Sequence, residues 1–115
     1  SMHQMHFRLL CIHYPNQVLD RVKQIKKNEV HFALEQCLEV CQEFKQVEAC
    51  AIIFHKMVNF FAAATSYMTL LSQKEHFDFP LFIKSLSKYK KILGEKQLFT
   101  FIPYQDKDIR LRNKK

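Results

Sequence analysis

Apolar side chains recur along this chain at intervals of three and four, and two adjacent stretches are apolar on almost every face. In VEACAIIFHKMVNFFAAATSYMTLL, residues 47–71, the positions Val47, Cys50, Ala51, Phe54 and Met57 form one helical stripe. Ala49, Ile52 and Ile53 make the other faces of that segment apolar as well. From Phe60 to Ser72 the stripe is Phe60, Phe61, Ala64, Tyr67, Met68 and Leu71, with Ala62, Ala63 and Thr65 between. A helix apolar all round is expected to be enclosed by neighbours, so both segments are predicted to be buried. The run Ala62-Ala63-Ala64 lets another helix come close. A membrane span needs about 20 consecutive apolar residues. Glu48, His55, Lys56 and Asn59 interrupt this stretch, and its uncharged run from Met57 ends at Gln73. It is not a span.

The flanking segments are amphipathic. Glu29 to Phe44 puts Val30, Leu34, Cys37, Cys41 and Phe44 on one stripe, with Glu35, Gln36, Glu39, Gln42 and Glu43 largely elsewhere. Pro15 to Lys27 opens with proline in its first turn, where the missing N–H costs nothing, and buries Val18, Leu19, Val22 and Ile25. Asp78-Phe79-Pro80 predicts a helix start with Asp78 as N-cap. Phe82, Ile83, Leu86, Tyr89 and Leu93 carry that helix inward, and Gly94 is its expected stop. Gln4 to His13 makes one more short helix before Pro15. The sum is about six helices of roughly ten to sixteen residues joined by short connections. From Pro103 onward, PYQDKDIRLRNKK loses the period and turns polar and basic.

Composition narrows the functional classes. A single glycine leaves no glycine-rich loop for phosphates or dinucleotides. The absence of Asn-Gly and Asp-Gly pairs argues against tight hairpins. The net charge of +7 and pI near 9.3 suit an acidic partner, nucleic acid or an anionic membrane surface. Four cysteines without close pairing and no signal peptide suggest reduced thiols in a cytosolic compartment. The opening Ser1-Met2 reads as the remnant of a removed purification tag, which suggests a piece of a longer protein.

The segment ALEQCLEVCQEFKQVEACAIIFHKMVNFFAAATSYMTLLS resembles the clathrin-heavy-chain-type helical repeat of vacuolar protein sorting subunits, most of all those of the endosomal CORVET tethering complex. In that repeat, a helix ending in a short polar turn precedes one of the form A-x-x-L-L-E-K-M-G. A helix beginning D/N-x-x-x-A-L follows. Ala49, Ile52, Ile53, His55, Lys56 and Met57 fall on the second helix of the pattern, and Asn59 and Ala63 on the next turn and helix. Upstream, FRLLCIHYPNQVLDRVK is similar to the family's leucine-leucine, turn, proline, V-L-x-x-L pair. The matching runs from about Phe7 to Leu71. One departure is Val58, where the repeat has glycine, so any left-handed turn residue is expected at Asn59.

The resemblance implies an all-α fold of antiparallel helix pairs stacked as an α-solenoid over residues 1–102, with 103–115 a basic tail or linker. It implies a non-catalytic scaffold in vesicle tethering, with no metal, cofactor or small-molecule substrate. Expected partners are other subunits of the tethering complex and an endosomal small GTPase, with weak contact to anionic membrane. The expected location is cytoplasmic and peripheral on endosomal or vacuolar membranes. Ends cut from a longer solenoid also predict self-association.

Candidate chemistry is thin. Cys37 and Cys41 lie four apart on the apolar stripe with Cys50 on the next helix, whereas zinc sites show close pairs such as C-x2-C. Buried free thiols are the simpler reading. His55 follows Cys50 by five residues, which turns it off the cysteine's face, and no oxyanion-hole motif accompanies the pair. His3 and His6 sit near the chain start and carry no assigned role. Glu35, Glu39 and Glu43 form a four-residue ladder that reads as a solvated face able to meet a basic partner. Phe60 and Phe61 suggest stacking platforms, but no cations interleave with them in sequence, and core packing is expected. Basic residues cluster as Lys23, Lys26 and Lys27, as Lys88, Lys90 and Lys91, and as Arg110, Arg112, Lys114 and Lys115. These ten give a second reading: a basic helical module for anionic head groups or nucleic acid.

Overall fold

The computed structural model describes the backbone of residues 2–26 and 31–99, and side chains over 4–26 and 34–94. Among these residues the chain is all-α. Helix α1 spans Met2–His13, α2 Val18–Lys23, α3 His31–Glu43, α4 Val47–Lys56, α5 Phe60–Ser72 and α6 Phe79–Phe99. No described helix is long and apolar enough to cross a membrane. The 103–115 tail lies outside the described residues.

Packing follows chain order only from α3 onward. The principal contacts are α1 on α3, α3 on α4, α4 on α5, α5 on α6, and α2 on α4. Helix α4 is the shared wall. Ala49, Cys50, Ile52 and Ile53 join a core with Phe7, Cys11, Val18, Val22, Leu34, Cys37, Val40 and Cys41. Ala51 faces a second core with Tyr67, Leu70 and Phe82. Both sides of α4 are therefore buried, as its all-round apolarity requires. Small residues sit in the interior: Ala51 and Ala63 are fully buried, and Ala64 nearly so.

Helix α5 corrects the expectation of enclosure. Phe61, Met68 and Leu71 are each more than half exposed. Only the face carrying Ala63, Ala64, Tyr67 and Leu70 is covered. Phe61 touches Tyr89 of α6 but stays mostly exposed, so this side of α5 is only partly covered among the described residues.

The helix ends are built alike. After α3, Lys45 adopts φ 56°, and Gln46 N–H donates to the Cys41 carbonyl at 2.8 Å. After α4, Val58 adopts φ 64°, and Asn59 N–H donates to the Phe54 carbonyl at 2.9 Å. After α5, Lys74 adopts φ 59°, and Glu75 N–H donates to the Leu70 carbonyl at 3.0 Å. Each is a Schellman closure with a left-handed residue in the position usually given to glycine. The left-handed residue is thus Val58, not Asn59. Asn59 sits at φ −97° and caps α5, its side chain accepting from Ala62 N–H at 3.2 Å. The amide side chain is needed for the cap, so the turn conformation falls one residue earlier.

Two boundaries also differ from expectation. The predicted Pro15–Lys27 helix is a 3₁₀ turn over Pro15–Gln17 followed by α2, which stops at Lys23. Its end is held by Lys56, whose Nζ donates to the carbonyl of Ile25 at 2.6 Å and approaches that of Lys23 at 3.4 Å. A cation there satisfies orphan carbonyls and the negative end of the helix dipole. Gly94 does not stop α6, which continues to Phe99. A glycine ends a helix by turning left-handed, and Gly94 has no positive φ. Within a helix it costs only about 1 kcal/mol, and Glu95, Lys96, Gln97 and Leu98 after it favour helix. The Asp78 cap is present, with Oδ1 accepting from Leu81 N–H at 3.3 Å.

Candidate functional site, a lysine-lined pocket

Where the last turn of α4 meets α2 and α6, a pocket of about 270 Å³ opens. Ile52, His55 and Lys56 come from α4, Lys23 from the end of α2, Tyr67 from α5, and Leu81 and Lys84 from α6. The helix ends place these groups. Lys56 is fixed by the Ile25 and Lys23 carbonyls at and just beyond the end of α2. His55 Nδ1 lies 2.8 Å from the hydroxyl of Ser85, a fully buried residue of α6. The His55 ring meets the edge of Phe60 at 4.9 Å between centroids. Lys88, one turn after Lys84, sets its Nζ 5.6 Å from the Phe60 ring centroid, a cation–π contact.

Tyr67 forms the inner wall. It is fully buried and packs on Phe77 and Phe82 at centroid distances of 5.6 and 5.7 Å. Burial first, then the charges of Glu48 and Asp78, push its ionisation well above the usual tyrosine range. The phenol is thus a neutral O–H donor, and it has no hydrogen-bond partner among the described residues. Both carboxylates that act on it are engaged elsewhere. Glu48 Oε2 accepts from Asp78 N–H at 2.9 Å, and Asp78 caps α6.

Of the ten cations singled out in the sequence, Lys23 lines this pocket and Lys88 stands beside it. Lys26, Lys90 and Lys91 are exposed and do not line it. Lys27, Arg110, Arg112, Lys114 and Lys115 lie outside the described residues. Sequence grouping missed Lys56, Lys84 and His55. Helical spacing held the signal: Lys84, Lys88 and Lys91 follow at four and three, a tighter spatial set than Lys88, Lys90 and Lys91.

Other candidates resolve differently. Cys11, Cys37, Cys41 and Cys50 are all free and buried. Burial, then neighbouring thiols, raises Cys41 far above the thiol range. Burial, then Cys11, pushes Cys50 up to about 12. Cys11 is raised by burial, then by Glu43, against Arg8. Thiols held neutral are poor nucleophiles and poor metal ligands, and no metal-binding group of His, Cys, Asp or Glu forms among the described residues. Cys50 lines a different groove from His55. The glutamate ladder clamps α1 to α3. Glu39 accepts from Gln4 at 2.5 Å, and Glu43 pairs with Arg8 at 2.6 Å. Core packing fails for Phe61, which is 56% exposed and stacks on Tyr89 at 5.3 Å. Cations do reach these phenylalanines, since Lys88 covers Phe60 from α6. The contact crosses between helices, so the linear sequence did not reveal it.

No protein-family model matches the chain, and no match was found among curated proteins or solved structures.

Proposed function

We propose that this chain is a non-catalytic scaffold segment of a vesicle-tethering subunit, most like the subunit-eight type of the CORVET complex, with its helices stacked as an α-solenoid. The observation that carries this reading is the recurrence of one corner. Three successive helices end in the same Schellman closure, at Lys45, Val58 and Lys74. From α3 onward each helix packs on the next in the chain, while α1 packs on α3 and α2 on α4. A repeated corner joining helices that pack on those close to them in the chain is what a solenoid is built from. The left-handed Val58 stands at the glycine position of the resembling repeat, which supports the alignment. The outer helices leave apolar stripes open: Met5, Leu9 and Ile12 on α1, and Phe79, Ile83 and Leu86 on α6. Stripes of this kind are what further repeats or partner subunits cover.

The test is affinity purification of the parent protein from its own cells, with mass spectrometry of what accompanies it. Recovery of other vacuolar sorting subunits and an endosomal small GTPase is expected. Recovery of RNA-binding proteins or nucleic acid alone would contradict the reading. The lysine-lined pocket favours a second reading, a basic module for anionic head groups or nucleic acid. Under that reading, truncation from Lys107 and raised salt weaken partner association steeply. Under the scaffold reading, both changes leave it largely intact.

A further inference from the structure

We propose that the pocket between α2, α4 and α6 is a binding site for a phosphate monoester, held by Lys23, Lys56 and Lys84 with the Tyr67 hydroxyl as an inner donor. It narrows the second reading to one pocket and one chemistry, and it holds or fails independently of the scaffold reading. The first observation is convergence. Three lysines from three helices line one concave volume of about 270 Å³, and no Asp or Glu lines it. Lys23 and Lys84 are exposed, with charged ends available to a ligand. Lys56 is half-buried and held by the carbonyls of Ile25 and Lys23 at and just beyond the end of α2, so its charge is already in place.

The second observation is independent of charge. Tyr67 is fully buried at the pocket wall, and its hydroxyl lacks a partner among the described residues. A buried donor left unpaired is costly, and native folds rarely keep one without a reason. An acceptor oxygen in the pocket satisfies it. A phosphate monoester supplies several acceptor oxygens and close to two negative charges at neutral pH. That combination meets three lysines and a phenol better than a single carboxylate does. The volume suits a compact group, below the range of drug-sized ligands. The same phosphate chemistry comes from a soluble phosphorylated polyol or from a phosphorylated lipid headgroup.

The test is a two-dimensional NMR titration of the full chain with inositol monophosphate, repeated with three variants at fixed salt. Saturable shifts centred on His55, Lys56, Tyr67 and Lys84 are expected. Lys23→Ala/Lys84→Ala should weaken binding by about tenfold or more, as lost charge-assisted hydrogen bonds do. Lys90→Ala/Lys91→Ala removes the same charge outside the pocket and should leave binding within about twofold. Tyr67→Phe keeps the ring packing and should weaken binding by about five- to tenfold. Cosedimentation with phosphatidylcholine vesicles, with and without a phosphatidylinositol monophosphate, separates the two sources. Binding only to the phosphorylated vesicles, competed by inositol monophosphate, assigns the lipid. Binding to the soluble probe without vesicle recruitment assigns a free phosphorylated ligand. Equal weakening by the two lysine pairs would overturn the pocket while leaving diffuse electrostatics standing. No saturable binding would likewise overturn the pocket.

Discussion

At Val58 a β-branched residue stands in the left-handed region, with a side chain 61% exposed. Nothing repays that conformation through burial, so the strain, about 1–2 kcal/mol, is borne by the turn alone. Val58→Gly removes it, and glycine's extra unfolded-state entropy offsets about 0.5–1 kcal/mol. The variant should be more stable by about 1 kcal/mol, read as a higher urea midpoint at unchanged slope. A lower midpoint would show that the turn is not strained. The thiols make a second prediction. Cys41 and Cys50 titrate far above their usual value of 9.0 in the fold. Above that pH the unfolded chain loses thiol protons that the native chain keeps, so stability is intact below pH about 9 and falls as pH rises beyond it. The slope is about 1.4 kcal/mol per pH unit for each such thiol. Chemical denaturation from pH 8 to 11 checks the sign. An unchanged midpoint would mean the thiols are already ionised in the fold. Burial of these cysteines was legible in their apolar stripe. The left-handed turn at Val58 was not, because valine carries no local signal for φ > 0.

Among the elements, α4 and α5 meet through alanines. Ala63 is fully buried at that contact, and Ala63→Leu inserts volume at a buried position. Overpacking of this kind costs about 1–3 kcal/mol, while Ala62→Leu, at a partly exposed position one residue earlier, should cost less. Equal effects would show that the alanine run does not set the spacing. The N-cap of α5 gives a sharper case: Asn59→Ala loses the bond to Ala62 N–H and should cost about 1 kcal/mol by thermal unfolding. Helix existence followed from periodicity at every segment, and the cap at Asp78 from residue type, whereas Asn59 was expected in the left-handed turn and instead caps α5. The misplaced ends share one cause. Lys56 holds the end of α2 from another helix, and Gly94 lies in a helix whose continuation depends on the residues after it. Neither is written in the local sequence.

For the whole molecule, the sequence made α5 as greasy as α4, but among the described residues α4 is the more fully covered. Helix α4 is covered by α2, α3 and α5, whereas α5 packs on α4 and α6 and keeps Phe61, Met68 and Leu71 mostly exposed. That exposed side and the stripes of α1 and α6 predict concentration-dependent association of the chain. Analytical ultracentrifugation should show it reduced by Phe61→Lys/Ile83→Lys with helicity unchanged. An unaltered monomer–oligomer balance would place association elsewhere. The pocket was half legible, because lysine content shows in the sequence while convergence from α2, α4 and α6 depends on the fold.

The most direct test of the scaffold account is photo-crosslinking in cells from single positions along the surface. A photoreactive phenylalanine at Leu9, Phe61 or Ile83 reports the open apolar stripes, and one at Asp20 or Lys91 reports polar surface. The account predicts crosslinks to vacuolar sorting subunits from the stripe positions and none from the polar ones. Crosslinks only from the polar positions, or none to any tethering subunit, would contradict it.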